Sequence, residues 1–457
     1  MSTLALELAE WAASLTFEAI PLEVVESAAD RVLDTLGICV AAFGEDAGVA
    51  ARALRDEWGP GRAEADFVGE HVKGGAAIAA LVNGTYAHSL DFDDTHLPSV
   101  VHPSAPMVPA VLASAQAAGA SGSQLLTSLV AAYEVNTRLS MAQYDEVLGN
   151  SLLFERGLHA TSILGTVAGA VGCAKLRGLD SDGIANAIGI ACSMGAGLLE
   201  ANRSGGTVKR FHCGWAAHSA VTAAALAAHG LTGPATVLEG RFGFFQAFCG
   251  DRWRSSAVTD ALGERWGTTE ILYKPYPCNH FTHAIVDAAM AFKARGLRPE
   301  AVEWVTIGTA AAPWRTIGDP IEEKRHPRTP YHAAFSAPFV FATALAGGSG
   351  LGVSVQDFTE ATLADPERRR LSESCDVIVD EECSRIFPNQ FPAVVRVRTR
   401  DGRELEEKVF KNRVLGRNEI LAKLGQNAGR LAEGLAAGCA NLHLAASVDR
   451  LMEATRA

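Results

Sequence analysis

The chain has 457 residues, 48% of them hydrophobic and 20% charged, with a formal net charge of −12. One compact core rarely grows that large, so two domains are expected, and the negative balance argues against a general nucleic-acid or acidic-membrane surface. An anionic substrate would therefore need a local island of positive charge.

The first stretch, MSTLALELAEWAASL, carries Glu7 and Glu10 and no basic start, and reads as a helix rather than a signal peptide. From Pro21 to about Phe43, the residues Val24, Val25, Ala28, Val32, Leu33 and Leu36 recur at helical spacing, and Pro21 sits where a first-turn proline is tolerated. Residues 65–69 are strand-like. Residues 74–90 form a helix, small and apolar on most faces, that runs into the polar stretch SLDFDDTHLPSVVHPSAP. Pro103, Pro106 and Pro109 punctuate the end of that stretch and the residues just beyond it, and helices resume at 107–118 and 123–139. After a loop carrying His159, residues 161–174 are helical. So are residues 181–194, with Asp180 or Ser181 as N-cap, and the alanine-rich residues 215–229.

The pattern changes after about Trp266. Strand-like runs appear at 303–309, 377–380 and 394–400, and the last passes through Asp401-Gly402 into RELEEKVF, a hairpin signal. Helices at 283–295 and 335–346 lie among these strands, and 418–452 reads as helical again. The fold class is mainly α. Residues 1–268 and 413–457 make a large all-helical domain, and residues 269–412 make a smaller α+β domain inserted into it. Nine cysteines without a Cys-x-x-Cys spacing suggest reduced thiols. No stretch reaches the roughly 18 uncharged apolar residues of a membrane span. A cytoplasmic protein that binds neither membrane nor nucleic acid is expected.

Four segments place ionisable residues in apolar surroundings. Asp91-Phe-Asp-Asp94-Thr95-His96, followed by His102-Pro103, ends a buried-looking helix in three carboxylates and two histidines, and histidine can move a proton near neutral pH. His159 stands just before a helix, with Thr161 as a possible cap, where the helix dipole disfavours its cation. Lys209-Arg210-Phe-His212 is a basic cluster leading into a helix, and is the best positive island for a polyanion. Lys274-Pro-Tyr276-Pro-Cys278-Asn279-His280 is stiffened by two prolines. Cys278, His280 and His283 fit no standard zinc spacing, so Lys274 as a carboxylate clamp is the better reading and no metal is expected. Taken singly, a capped helix end, a cap histidine and a solvated basic loop would account for the first three. No phosphate loop, Gly-x-Gly-x-x-Gly after a strand, or Gly-x-Ser-x-Gly occurs, which argues against nucleotide chemistry and elbow-type hydrolysis.

Several motifs run along most of the chain in order. They are Leu-Val-Asn-Gly-Thr-Tyr-Ala-His88-Ser-Leu-Asp91-Phe-Asp-Asp94-Thr95, His102-Pro103-Ser104, His159-Ala-Thr161 with Gly165 after it, Lys209 before Gly214, and Lys274-Pro-Tyr-Pro. With Arg31-Val-Leu-Asp34-Thr-Leu-Gly37, they resemble the MmgE/PrpD family, whose members include 2-methylcitrate dehydratase, cis-aconitate decarboxylase and iminodisuccinate epimerase. The resemblance implies an all-helical domain with an α+β lid and the site between them, a homodimer, no cofactor, and a small polycarboxylate substrate. Its first implication is a hydro-lyase of the 2-methylcitrate dehydratase kind. An epimerase or a cis-aconitate-type decarboxylase is the alternative, and a polyanion-binding protein of the same fold is the non-enzymatic one. Catalytic positions carried over are His102, His159, Asp91, Lys209 and Lys274, with Asp91 orienting a histidine. Thr95, Asp94, Arg210, Tyr276 and His280 are the substrate-binding candidates. In the decarboxylase branch a histidine falls five residues after the second lysine, and here that position holds Asn279.

Overall fold

Small side chains decide how the N-terminal helices meet. The computed structural model describes residues 2–201 and 206–456. These are mainly helical, with small sheets, and group into two units. The first comprises Met1–Ser89, Asp93–Leu272 and Asn427–Ala457; the second comprises Leu90–Phe92 and Tyr273–Gln426.

In the first unit, the helices Ala76–Ser89, Ser104–Ala118, Gly122–Ala142, Ala160–Leu176 and Val208–Ala228 pack on one another. The Ala76–Ser89 helix is buried on nearly every face, as expected of a helix with no polar side. It lies against Val208–Ala228 at backbone contact. A Cβ on Gly214 would stand 2.4 Å from the Leu81 carbonyl oxygen, and one on Gly84 would stand 2.9 Å from that of Cys213. Gly165 makes a similar approach, where an added Cβ would stand 2.4 Å from the Cγ of Pro106. It seats the Ala160–Leu176 helix on the Ser104–Ala118 helix.

Two helices begin three or more residues ahead of the sequence reading. The first begins at Ser104, not 107, and runs through Pro106 and Pro109. Pro103 and Pro106 fall at the N-cap and in the first turn, where no intrahelical N–H bond is forfeited, so only Pro109 costs one. The other begins at Val208. Lys209, Arg210 and His212 are therefore helical residues rather than a basic loop. Asp180 caps its helix as anticipated, its Oδ1 accepting from the Gly183 N–H at 2.9 Å, and Ser121 and Gln124 form a capping box.

The second unit holds a four-stranded sheet: β1 (Val302–Thr309), β2 (Cys375–Val379), β3 (Ala393–Thr399) and β4 (Glu404–Val409), in the order β4-β3-β1-β2. The β1–β2 pair is parallel and the others antiparallel. The anticipated hairpin is β3–β4, with Gly402 at φ +85° in its turn. In β3, Val395 and Val397 face a core shared with the His283–Ala294 and Ala337–Ala346 helices, while Arg396 and Arg398 face solvent. Among the described residues no helix is long and apolar enough to cross a membrane.

The glycine contact sets a prediction. Gly214→Ala must move one helix off the other and should lower stability by about 1–3 kcal/mol, read as a fall in the urea midpoint at constant slope. A midpoint within error of the parent would mean that the two backbones can part freely.

Candidate active site

The polar stretch after the Ala76–Ser89 helix is held from below by one buried ion pair. Arg31, 1% exposed, places Nη1 2.8 Å from Asp94 Oδ2, and its Nη2 donates to the carbonyls of Thr268 (3.2 Å) and Ile271 (2.6 Å). Asp94 also accepts from the Ser104 N–H at 3.1 Å and from the Ser104 hydroxyl. Its charge thus sits at the start of the Ser104–Ala118 helix, where the dipole favours an anion. Asp94, a substrate-binding candidate in the sequence, is committed to building the loop.

The same loop fixes the tautomer of His102. The Nδ1 of His102 lies 2.8 Å from the Asp94 carbonyl oxygen, with Thr95 Oγ1 3.1 Å away. A carbonyl only accepts, so Nδ1 carries the hydrogen, and in the neutral ring Nε2 carries the lone pair. The His102 backbone N–H donates to Thr161 Oγ1 at 3.1 Å. Thr161 is therefore a tie between two segments, not the helix cap anticipated for it; the N-cap position is His159 itself. Val100, two residues before His102, sits at φ +57°, a strained conformation for a β-branched residue. The His96–Val101 bridge holds it there.

Four histidines stand in a row. The ring of His88 lies 5.7 Å from that of His102 and 5.3 Å from that of His159, and His159 lies 5.1 Å from His212. Asp93 Oδ2 is 2.7 Å from His88 Nδ1, and both residues are buried. Among the described residues the Nε2 of His88 has no hydrogen-bond partner. The Nδ1 atoms of His159 and His212 are 3.0 Å apart. Burial holds the His159 pKa well below the ordinary value, helped by the positive potential of His88, Lys209, His212 and His102. Burial, with His88 and Lys209, pushes His212 down to about 4. Lys209 is itself 4% exposed. Arg210, one residue on, points elsewhere and pairs with Glu45 and Asp46. A one-residue step turns a helical side chain by about 100°, whereas His212, at i+3, shares the Lys209 face.

The second unit carries its own buried charges. The Nζ of Lys274 donates to the Asp91 carbonyl (2.9 Å) and to Asp91 Oδ2 (3.1 Å), with Lys274 at 0% and Asp91 at 1% exposure. Asp91 has φ +50°, so this lysine spans both ends of a left-handed residue. Lys423 donates to the Phe92 carbonyl at 3.1 Å, with Nζ 3.9 Å from the Phe92 ring centroid. Tyr276 donates to Asp287 Oδ1 at 2.6 Å and accepts from Arg413. His280 packs against His283 and Phe391. Asn279 caps the adjoining turn, its Oδ1 accepting from the Phe281 N–H at 3.1 Å. Burial, with Lys274 nearby, takes His283 down to about 3.

The first unit thus groups Thr95, His102, His159 and Lys209, while Asp94 and Arg210 serve its framework. Asp91, Lys274, Tyr276 and His280 belong to the second unit. In the histidine row of the first unit the carboxylate is Asp93, on His88, whereas Asp91 is engaged by Lys274. His88, Asp93 and His212 are absent from the sequence-derived set. A detectable signal for the two histidines was a lone histidine in a mostly apolar helix and a histidine three residues after Lys209.

Comparison with known proteins adds a second line. The family model described as MmgE/PrpD N-terminal domain matches residues 6–256, and that described as MmgE/PrpD C-terminal domain matches residues 276–437. The cis-aconitate decarboxylase-like protein oryM of Aspergillus oryzae is 30% identical over 297 residues, covering 62% of this chain and 60% of the relative. Cis-aconitate decarboxylase of Aspergillus terreus is 30% identical over 303 residues, covering 63% and 60%. The Homo sapiens protein of that name is 30% identical over 310 residues, covering 64% and 59%. The matches thus span about three fifths of the length of these curated relatives.

Two predictions rest on this geometry. Arg31→Met strands the Asp94 carboxylate without its buried partner and should cost about 3–5 kcal/mol, seen by thermal or urea unfolding; an unchanged transition would mean the loop is held by other means. The neutral histidines set a pH dependence. His159 and His212 are depressed when folded but titrate near the ordinary value of about 6.5 when unfolded. The unfolded state therefore binds more protons as the pH drops, and the stabilisation present above pH 6.5 is lost on the way down toward 4. The urea midpoint should fall between pH 7.5 and pH 5, and the fall should be smaller in His212→Gln. An equal fall in both proteins would count against a neutral His212.

Proposed function

The chain belongs to the MmgE/PrpD family, and from that premise we propose that it is a lyase acting on a small polycarboxylate by proton transfer at a carbon next to a carboxylate. One observation carries this reading. His102 is held in the tautomer that leaves Nε2 basic, in a row with histidines that burial keeps neutral and a buried lysine. A neutral imidazole is a competent base near pH 7. A cation in a site of low polarity stabilises charge that develops on a substrate carboxylate.

Lys209 is the carboxylate-binding cation proposed for the first unit, and Lys274 that for the second. His102 and His159 share the work of base and acid. In decarboxylation, carbon dioxide leaves with cleavage of a carbon–carbon bond, and the electron pair left behind takes a proton from a histidine N–H. In dehydration, a histidine Nε2 removes the carbon-bound proton, and a second group protonates the departing hydroxyl. The developing negative charge falls on a carboxylate in both, so the same residues serve either.

Decarboxylation of a cis-aconitate-type acid is the first reading, supported by the names of the relatives at 30% identity. Removal of water from a citrate-type hydroxy acid is the second. It is supported by Asn279, which stands where the decarboxylase branch has a histidine and is used here as a cap. No cofactor is invoked in either.

The test is proton NMR in deuterium oxide with cis-aconitate, citrate, 2-methylcitrate and iminodisuccinate. Loss of carbon dioxide with deuterium entering the product would establish the first reading. A new alkene signal from a hydroxy acid would establish the second. Exchange without net conversion would point to epimerisation, and inertness toward all four would remove the lyase reading. In the active case, His102→Gln should lower kcat on the order of 100-fold.

A further inference from the structure

His212 has no role in the proposed chemistry, yet its ring meets that of His159 at hydrogen-bond distance. The two Nδ1 atoms, 3.0 Å apart, can be bonded only if one carries a hydrogen and the other a lone pair. Two neutral rings then hold complementary tautomers. If His159 is the Nδ1–H form, its Nε2 is a lone pair and His212 carries its hydrogen on Nε2. If the shared hydrogen sits on His212, then His159 carries its own on Nε2. The position of one proton therefore decides whether the outer nitrogen of His159 acts as base or as acid.

Both rings stand where a lasting imidazolium is unwelcome. His159 is the N-cap residue of the Ala160–Leu176 helix and meets the positive end of its dipole, and His212 lies one turn into the Val208–Ala228 helix. Lys209 adds its charge from the same helix, and His88 and His102 face the pair from the Ala76–Ser89 helix and the loop beyond it. The two differ in access: His159 is 1% exposed and His212 is 8% exposed. A proton arriving at His159 is thus better passed on than kept, and His212 lies nearer solvent.

We propose that His212 is the proton-relay partner of His159, a positioning residue that acts through it rather than on the substrate. This rests on the lyase reading above. As His159 Nε2 takes the carbon-bound proton, the C–H electron pair moves into conjugation with the substrate carboxylate. The His159 Nδ1–H bond breaks, and its hydrogen forms a bond to His212 Nδ1. His159 ends neutral as the Nε2–H tautomer. His212, briefly cationic, releases its Nε2 proton to water. Protonation of a carbon takes the same steps in reverse, with His212 taking a proton from water at Nε2. Every bond broken is matched by one formed, and water is the only co-reactant.

The first arm of the test needs no substrate. In the full-length protein with 15N-labelled histidine, the relay requires one protonated and one unprotonated Nδ1 for His159 and His212, or a pair averaged between the two. Two Nδ1 atoms that both lack hydrogen would overturn it. The second arm uses whichever polycarboxylate the wild-type enzyme turns over. His212→Gln keeps a hydrogen bond to His159 but cannot pass a proton. It should lower kcat at least about 10-fold with KM within about twofold, and slow solvent-deuterium entry at the reacting carbon in step. His212→Ala should be as slow, and added free imidazole should restore part of its rate. Full activity in His212→Gln would overturn the relay and leave an orienting contact. A wild-type enzyme inert to every polycarboxylate would fail the lyase reading instead, and the tautomers measured in the first arm would still judge the pair.

Discussion

Backbone contact between two alanine-rich helices is the constraint on which the rest of the first unit depends. Gly84 and Gly214 let Ala76–Ser89 and Val208–Ala228 approach until any side chain at either position would strike a carbonyl oxygen. His88 lies one turn beyond Gly84, and His212 two residues before Gly214. The distance between those imidazoles is therefore set by main-chain contact, which has little compliance. Gly165 does the same for His159 by seating its helix on Pro106. A row of rings with centroids 5.1–5.7 Å apart is hard to hold with long, flexible side chains. Packing it from rigid helices costs no further ordering at the moment of reaction.

Electrostatics then depend on what the framework consumes. Three aspartates close together in the chain have three different partners: Asp91 meets Lys274, Asp93 meets His88, and Asp94 meets Arg31. Taking a carboxylate out of water is unfavourable unless it is paired and hydrogen-bonded, so each is bound to a cation or an imidazole. His159 and His212 instead have each other, a lysine nearby and burial. Their neutrality is the direct result. The net charge of −12 is thus no guide to this region, where the local potential is positive.

The second unit solves a similar problem by different means. Asp91 is held in a left-handed conformation by a lysine that bonds its carbonyl and its carboxylate together. Lys423 fixes the next residue through its carbonyl and its ring. Two fully buried ammonium groups therefore donate to Asp91 and Phe92, within a short stretch, Leu90–Phe92, that is remote in sequence from the rest of that unit. Segments closed over so long a loop are entropically unfavourable, and charge-assisted bonds are the kind strong enough to hold them.

Much of this was legible in the sequence because it is written in local chemistry. Periodicity located the helices, Asp401-Gly402 located the hairpin, and the motifs from Arg31 to Lys274 identified the family. Local rules also erred where tertiary contact competes with them. A run of prolines was compatible with a helix from Ser104, and Lys209–His212 formed helix rather than loop because its apolar neighbours had a core to enter. The sequence by itself determined which residues could carry a proton or a charge. Only the tertiary structure decided which of them share one. Asp93 rather than Asp91 pairs with a histidine, Arg210 turns away from Lys209, and His159 finds His212 from 53 positions away. Hydrogen bonds act over about 3 Å, and only the packing of whole helices brings residues so far apart in the chain to that distance.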